Sequence, residues 1–141
     1  MKKIFYHGSP YKLNIIEQQT PTYDGPIDFD KQTGVFITDY MHYAKLYAIV
    51  RDKQRINKQF SILPYPSPDS PLCLLLEYES WIEEDNGYEL NDYGYLHYIK
   101  LNISNPLLEQ HPYEKRNYEY IIKQNIKPYK IKKVKRNLKI I

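Results

Sequence analysis

The chain has 141 residues, a formal net charge of +3, one cysteine and 16 tyrosines. That length is one ordinary domain (residues 1–141), large enough for a single core, and the lone Cys73 excludes an internal disulfide framework. No stretch approaches the ~20 apolar residues of a membrane helix and the N-terminus lacks an apolar signal core, so a cytoplasmic protein with no membrane partner is expected.

Residues 3–6 combine β propensity with no turn former and read as a short buried strand running into His7. Gly8 is expected to end that strand, where another molecule could approach its backbone closely. Leu13 and Ile15 give 11–17 some extended character. Residues 18–33 hold Pro21, Gly25 and Pro26 and read as a loop, long enough for a functional role. Residues 34–38 form a second buried strand, after which Thr38 or Asp39 can cap a helix. That helix is expected over 40–52, with Tyr40, Tyr43, Ala44, Tyr47 and Val50 recurring at helical spacing, and it fades through the charged run 51–55.

Four prolines bar regular structure from 63 to 71. Residues 72–78 read as a central strand, buried on both faces at first, with Cys73 a small hydrophobe in a reducing compartment. Residues 79–91 are acidic and irregular, 95–101 alternate as a strand, and Asn105-Pro106 and His111-Pro112 bracket a loop. Two last strands, 118–122 and 129–136, flank a turn near Asn125 and Pro128. Many short strands and one helix make an α+β domain.

Charge is divided unevenly along the chain. Residues 61–98 contain acids and no Lys or Arg, while everything after Glu119 is basic or neutral. The basic C-terminal strand can meet phosphates of a cofactor or nucleic acid, or form a solvated strand face balanced by the acidic middle. The abundant tyrosine suits stacking on a ring ligand, and it equally supplies core area.

Zinc-spaced Cys/His pairs, a phosphate-cradling glycine loop and a nucleophile elbow are all missing from the sequence, and no metal site is expected. Three stretches taken together carry a resemblance. Tyr6-His7-Gly8-Ser9, then Gly34-Val35-Phe36-Ile37-Thr38-Asp39 with Ala44 and Tyr47, then Asn117-Tyr118-Glu119-Tyr120-Ile121-Ile122 with the strand after Pro128, fall in order across most of the chain. In this the chain resembles the ADP-ribosyltransferase superfamily, in the His-Tyr-Glu branch of diphtheria toxin and the poly(ADP-ribose) polymerases, and in size its compact prokaryotic members.

The resemblance implies a split β-sandwich of two small antiparallel sheets with a few helices and an NAD cleft between them. NAD+ would be the substrate, and ADP-ribose would pass to a protein, nucleic-acid or small-molecule acceptor. His7 would bond a ribose hydroxyl, and the Gly8 backbone would pair with the nicotinamide carboxamide. Tyr47 would stack on nicotinamide, and Ser9 and Thr38 would support the pocket. Phe36 stands where the polymerases usually have Tyr, so its part would be apolar.

Glu119 would stabilise the oxocarbenium-like ribose and activate the nucleophile, with Glu114 and Glu109 as fallback carboxylates. Other readings stay open: Tyr47 as a core aromatic, Glu119 as an exposed strand residue, His7 as a core histidine. So do a non-catalytic ADP-ribose or partner-binding module and an NAD+ glycohydrolase. An RNA 2′-phosphotransferase would call for basic residues near His7, which the sequence does not place there.

Overall fold

A computed structural model describes residues 1–21, 25–49 and 91–135. The expected strand at 72–78 with Cys73, the proline loop at 63–71, the acidic run at 79–90, the helix beyond 49 and the tail beyond 135 lie outside the described residues.

Six strands and one helix are present among them: β1 (Lys2–Ser9), β2 (Val35–Thr38), α1 (Met41–Ile49), β3 (Tyr93–Asn102), β4 (Leu108–Gln110), β5 (Glu119–Ile122) and β6 (Lys130–Lys135). Short 3-10 turns cover Asp28–Lys31 and Glu114–Arg116. The strands form one open antiparallel sheet in the order β4-β5-β2-β1-β3-β6. The α+β class is therefore observed, with one sheet where two small ones were expected.

The join between its halves is narrow. β1 pairs with β3 along its whole length, from Lys2↔Asn102 to Ser9↔Tyr95, and β2 pairs with β5 from Val35↔Ile122 to Thr38↔Glu119. Between β1 and β2 the ladder has one pair, Tyr6↔Thr38. Beyond it a side chain continues the join: the His7 Nδ1–H donates to the Phe36 carbonyl at 2.8 Å.

Strand pleating sorts the residues onto two faces. One face holds the core: Phe5, Val35, Ile37, Ile99, Leu101 and Ile122 are buried together with Ile16 and Ile126. Each such side chain contributes about 2 kcal/mol through area removed from water. Ile16 reaches this core because 11–17 crosses it, tied by a single bridge, Ile16↔Ile126.

The opposite face carries α1. Gly8 and Gly94, on neighbouring strands and on the same face by register, lie under its backbone. A Cβ on Gly8 would overlap the Ala44 carbonyl, and one on Gly94 would overlap that of Ala48. Ala44 and Ala48, one turn apart, complete this close crossing. Gly8 therefore does not end its strand as expected. It sits within β1, opposite Leu96, and its missing side chain is needed by the helix.

Three elements went unforeseen in the sequence, the first being the Asp28–Lys31 turn within the stretch read as a loop. β4 is three residues long, too short to show alternation. The Glu114–Arg116 turn is charged throughout and carries no apolar period. No described helix is long and apolar enough to cross a membrane.

Candidate active site

The row Tyr6, Thr38, Glu119 runs across β1, β2 and β5 on the α1 side of the sheet. Glu119 is only 8% exposed, and its carboxylate is gripped by Arg116 three residues earlier. Arg116 Nε donates to Oε2 at 2.6 Å and Nη2 to Oε1 at 2.7 Å. The other side of the guanidinium takes Asp30, with Nη1 to Oδ2 at 2.9 Å and Nη2 to Oδ1 at 2.8 Å. One planar cation thus bridges two carboxylates, a geometry that lysine cannot supply. It also ties the 18–33 loop to β5.

From above, α1 brings a second set of groups. Tyr43 and Tyr47, one turn apart, place their hydroxyls 3.1 Å from each other, within hydrogen-bond distance. The buried Tyr43 phenol lies close enough to Glu119 for the carboxylate to add to the rise that burial gives its pKa. Tyr118 packs edge-on against Tyr43, ring centroids 4.9 Å apart. Its hydroxyl is buried and has no hydrogen-bond partner among the described residues. Such groups are uncommon in folded proteins.

Electrostatics follow from burial. Desolvation is the largest influence on Glu119 and raises its carboxyl above the ordinary glutamate value, while the Arg116 hydrogen bonds pull it back. Desolvation likewise pushes the Tyr43 and Tyr118 phenols up. Asp30 also faces His111, whose Nε2 lies 3.9 Å from Oδ1. Both carboxylates are committed to Arg116, and no three metal-ligating side chains converge among the described residues.

Of the residues singled out in the sequence, Glu119, Thr38 and Tyr47 share this side of the sheet. The Thr38 hydroxyl is engaged: it donates to the Tyr118 carbonyl at 2.6 Å and accepts the Tyr40 N–H at 3.0 Å, so it braces the entry to α1. Phe36 also faces this side by register and packs edge-on to Phe29, centroids 5.9 Å apart.

His7 and Ser9 alternate onto the core side of β1. There the His7 ring stands 5.9 Å from that of His97, and Ser9 Oγ accepts the Tyr11 N–H at 3.1 Å. The two halves of the expected site are thus not brought together: His7 on β1 and Glu119 on β5 lie two strands apart and on opposite faces of the sheet. The Arg116 guanidinium takes Asp30 and Glu119 and not the fallback residues: Glu109 is on β4, 4.0 Å from Lys123, and Glu114 opens the same 3-10 turn that ends at Arg116.

Arg116, Asp30, Tyr43, Tyr118 and His97 were not singled out. The Arg116/Glu119 pair is an opposite-charge pair three residues apart across the turn into β5, with no helical period to mark it in the sequence. His97 carried no signal beyond its alternation in the strand. It is fully buried, donates from Nδ1 to the His7 carbonyl at 3.0 Å and accepts the Leu13 N–H on Nε2 at 2.9 Å. Those bonds require the neutral ring, and desolvation lowers its pKa accordingly.

Comparison with protein families, curated proteins and solved structures finds no match to this chain.

Proposed function

We propose that this protein is a cytoplasmic NAD+-dependent mono-ADP-ribosyltransferase acting at Glu119. The observation that carries the reading is the unpartnered Tyr118 hydroxyl, buried beside a buried carboxylate and a pair of tyrosines. A polyhydroxylated ligand such as a ribose would complete that hydrogen bond. The sequence resemblance supplies the rest, and the single-pair seam between β1 and β2 is where two half-sheets would part to admit NAD+.

In this reading the bond from ribose C1′ to the nicotinamide nitrogen breaks, and its electron pair leaves with nicotinamide. Glu119 stabilises the positive charge left on the sugar, and the Tyr47 ring lines the nicotinamide side. An acceptor nucleophile then attacks C1′ and gives its proton to the carboxylate. The raised carboxyl pKa suits that last step, since a base is most effective near the working pH. His7, held by the Phe36 carbonyl on the face opposite Glu119, and the Gly8 backbone would reach NAD+ only once the β1–β2 seam parts.

One observation favours a second reading. Both Glu119 oxygens already accept from Arg116, as a purely structural ion pair would have them. A non-catalytic binder on the same scaffold would look like this. Nicotinamide release from NAD+, measured with wild type and Glu119→Gln, separates the two. Release that is absent in both, with NAD+ still bound, removes catalysis; release only in wild type supports the transferase. Release without an added acceptor identifies a glycohydrolase.

A further inference from the structure

The α1-side face of β1, β3 and β6 continues past the helix as a surface on which, among the described residues, Lys100 and Tyr129 are exposed and Tyr6 and Tyr98 half-buried. Tyr6 and Tyr98 are register partners with ring centroids 5.3 Å apart, and Tyr129 follows at 6.2 Å from Tyr98. Tyr129 is 49% exposed. Lys130 lies over the Tyr98 ring at 4.9 Å and Lys100 over the Tyr129 ring at 4.7 Å. By register four lysines, Lys2, Lys100, Lys130 and Lys132, are on this face, and the three strands carry no acid. The nearby Asp39 is neutralised by Lys3 at 2.8 Å.

We infer that this face binds single-stranded nucleic acid, with bases stacked on Tyr98 and Tyr129 and phosphates taken by Lys100 and Lys130. Ring faces interleaved with cations, on three strands that carry no acid and beside an Asp39 paired with Lys3, match the two parts of an unpaired nucleotide. A duplex hides its base faces, and a purely acidic polypeptide such as polyglutamate offers charge without rings to stack. The lysines that now cover the rings are those a base would displace toward its own phosphates. The surface shares a row with Glu119 through Thr38 and Tyr6, three strand spacings or ~14 Å from Tyr98. If the transferase reading holds, a strand seated here lies within reach of the carboxylate as acceptor; the binding itself does not depend on that reading.

The test is fluorescence anisotropy on the full chain without NAD+, so that it stands or falls apart from catalysis. The probes are labelled mixed-sequence DNA and RNA strands of about 12 nucleotides, a duplex of equal length, and polyglutamate. Single strands are expected to bind best, with a slope of log affinity on log salt of about −2 to −3 for three or four lysine contacts. Tyr98→Ala with Tyr129→Ala is expected to weaken binding at least ~10-fold, and the corresponding Phe pair less than ~3-fold. Lys100→Gln with Lys130→Gln is expected to reduce the slope by about 1 to 1.5. No single-strand binding at about 50 mM salt, or equal binding of duplex or polyglutamate, overturns the inference. So does an Ala pair that binds like wild type, or a Phe pair as damaged as the Ala pair. Should the Ala pair fail to fold, the lysine pair decides: an unchanged slope overturns the assignment.

Discussion

Arg116→Met tests the centre of the structure most directly. The substitution keeps an unbranched side chain and removes four charge-assisted hydrogen bonds, two to Glu119 and two to Asp30. Glu119, 8% exposed, would be left ionised and without its cation. Removing one partner of a buried pair costs about 3–5 kcal/mol, against at most ~1 kcal/mol for an exposed pair. For a chain of this size that corresponds to a Tm lower by roughly 10–20 °C. Urea denaturation with an unchanged m-value is the cleaner readout. Neutralising all three groups, Asp30→Asn with Arg116→Met and Glu119→Gln, should recover much of the loss, because no buried charge is then left unpaired. The loss should also shrink in acid, where Glu119 takes up a proton. A cost below about 1 kcal/mol for Arg116→Met at neutral pH would refute the buried-network account.

Glu119→Gln should abolish nicotinamide release while NAD+ binding is kept, measured by turnover and equilibrium binding in parallel; a wild-type rate ends the role given to this carboxylate. Burial raises the Glu119 carboxyl, so the acid limb of a pH–rate profile should lie above the ordinary glutamate value of 4.5, and a limb at or below it contradicts an ionised Glu119 as the base. The same shift means the folded chain holds this proton to higher pH than the unfolded chain, so Glu119 ionisation subtracts stability as pH rises above 4.5.

His97 acts in the opposite direction: its folded pKa is lowered from 6.5, so the unfolded chain takes up the proton first and stability is lost as pH falls below 6.5. His97→Asn should flatten that part of the profile, and an unchanged profile would assign it to His42 and His111, which shift the same way. Gly8→Ala should cost about 3 kcal/mol or more in a urea melt, because the new Cβ meets helix backbone that cannot rotate away; a loss under ~1 kcal/mol would mean that α1 yields easily.

Alternation and helical spacing are properties of the chain alone, and they were sufficient to place β1, β2, β3, β5, β6 and α1 to within a few residues. Phe5, Val35, Ile37, Ile99 and Ile122 declare a buried face because a strand shows every second side chain to the same side. Glu119 and Tyr47 were legible as candidates for the same kind of reason, through short ordered motifs. Which residues meet was settled elsewhere. The register Tyr6↔Thr38↔Glu119 puts Glu119 under α1 and sends His7 to the other face, and no local pattern specifies a register across separate strands. Arg116 joins Asp30 to Glu119 across 86 positions of sequence on one side and three on the other. Gly8 reads locally as a strand end, yet it is a strand interior cleared for Ala44. That requirement exists only once a helix 36 residues later lies across the sheet, and the tertiary structure alone supplies it.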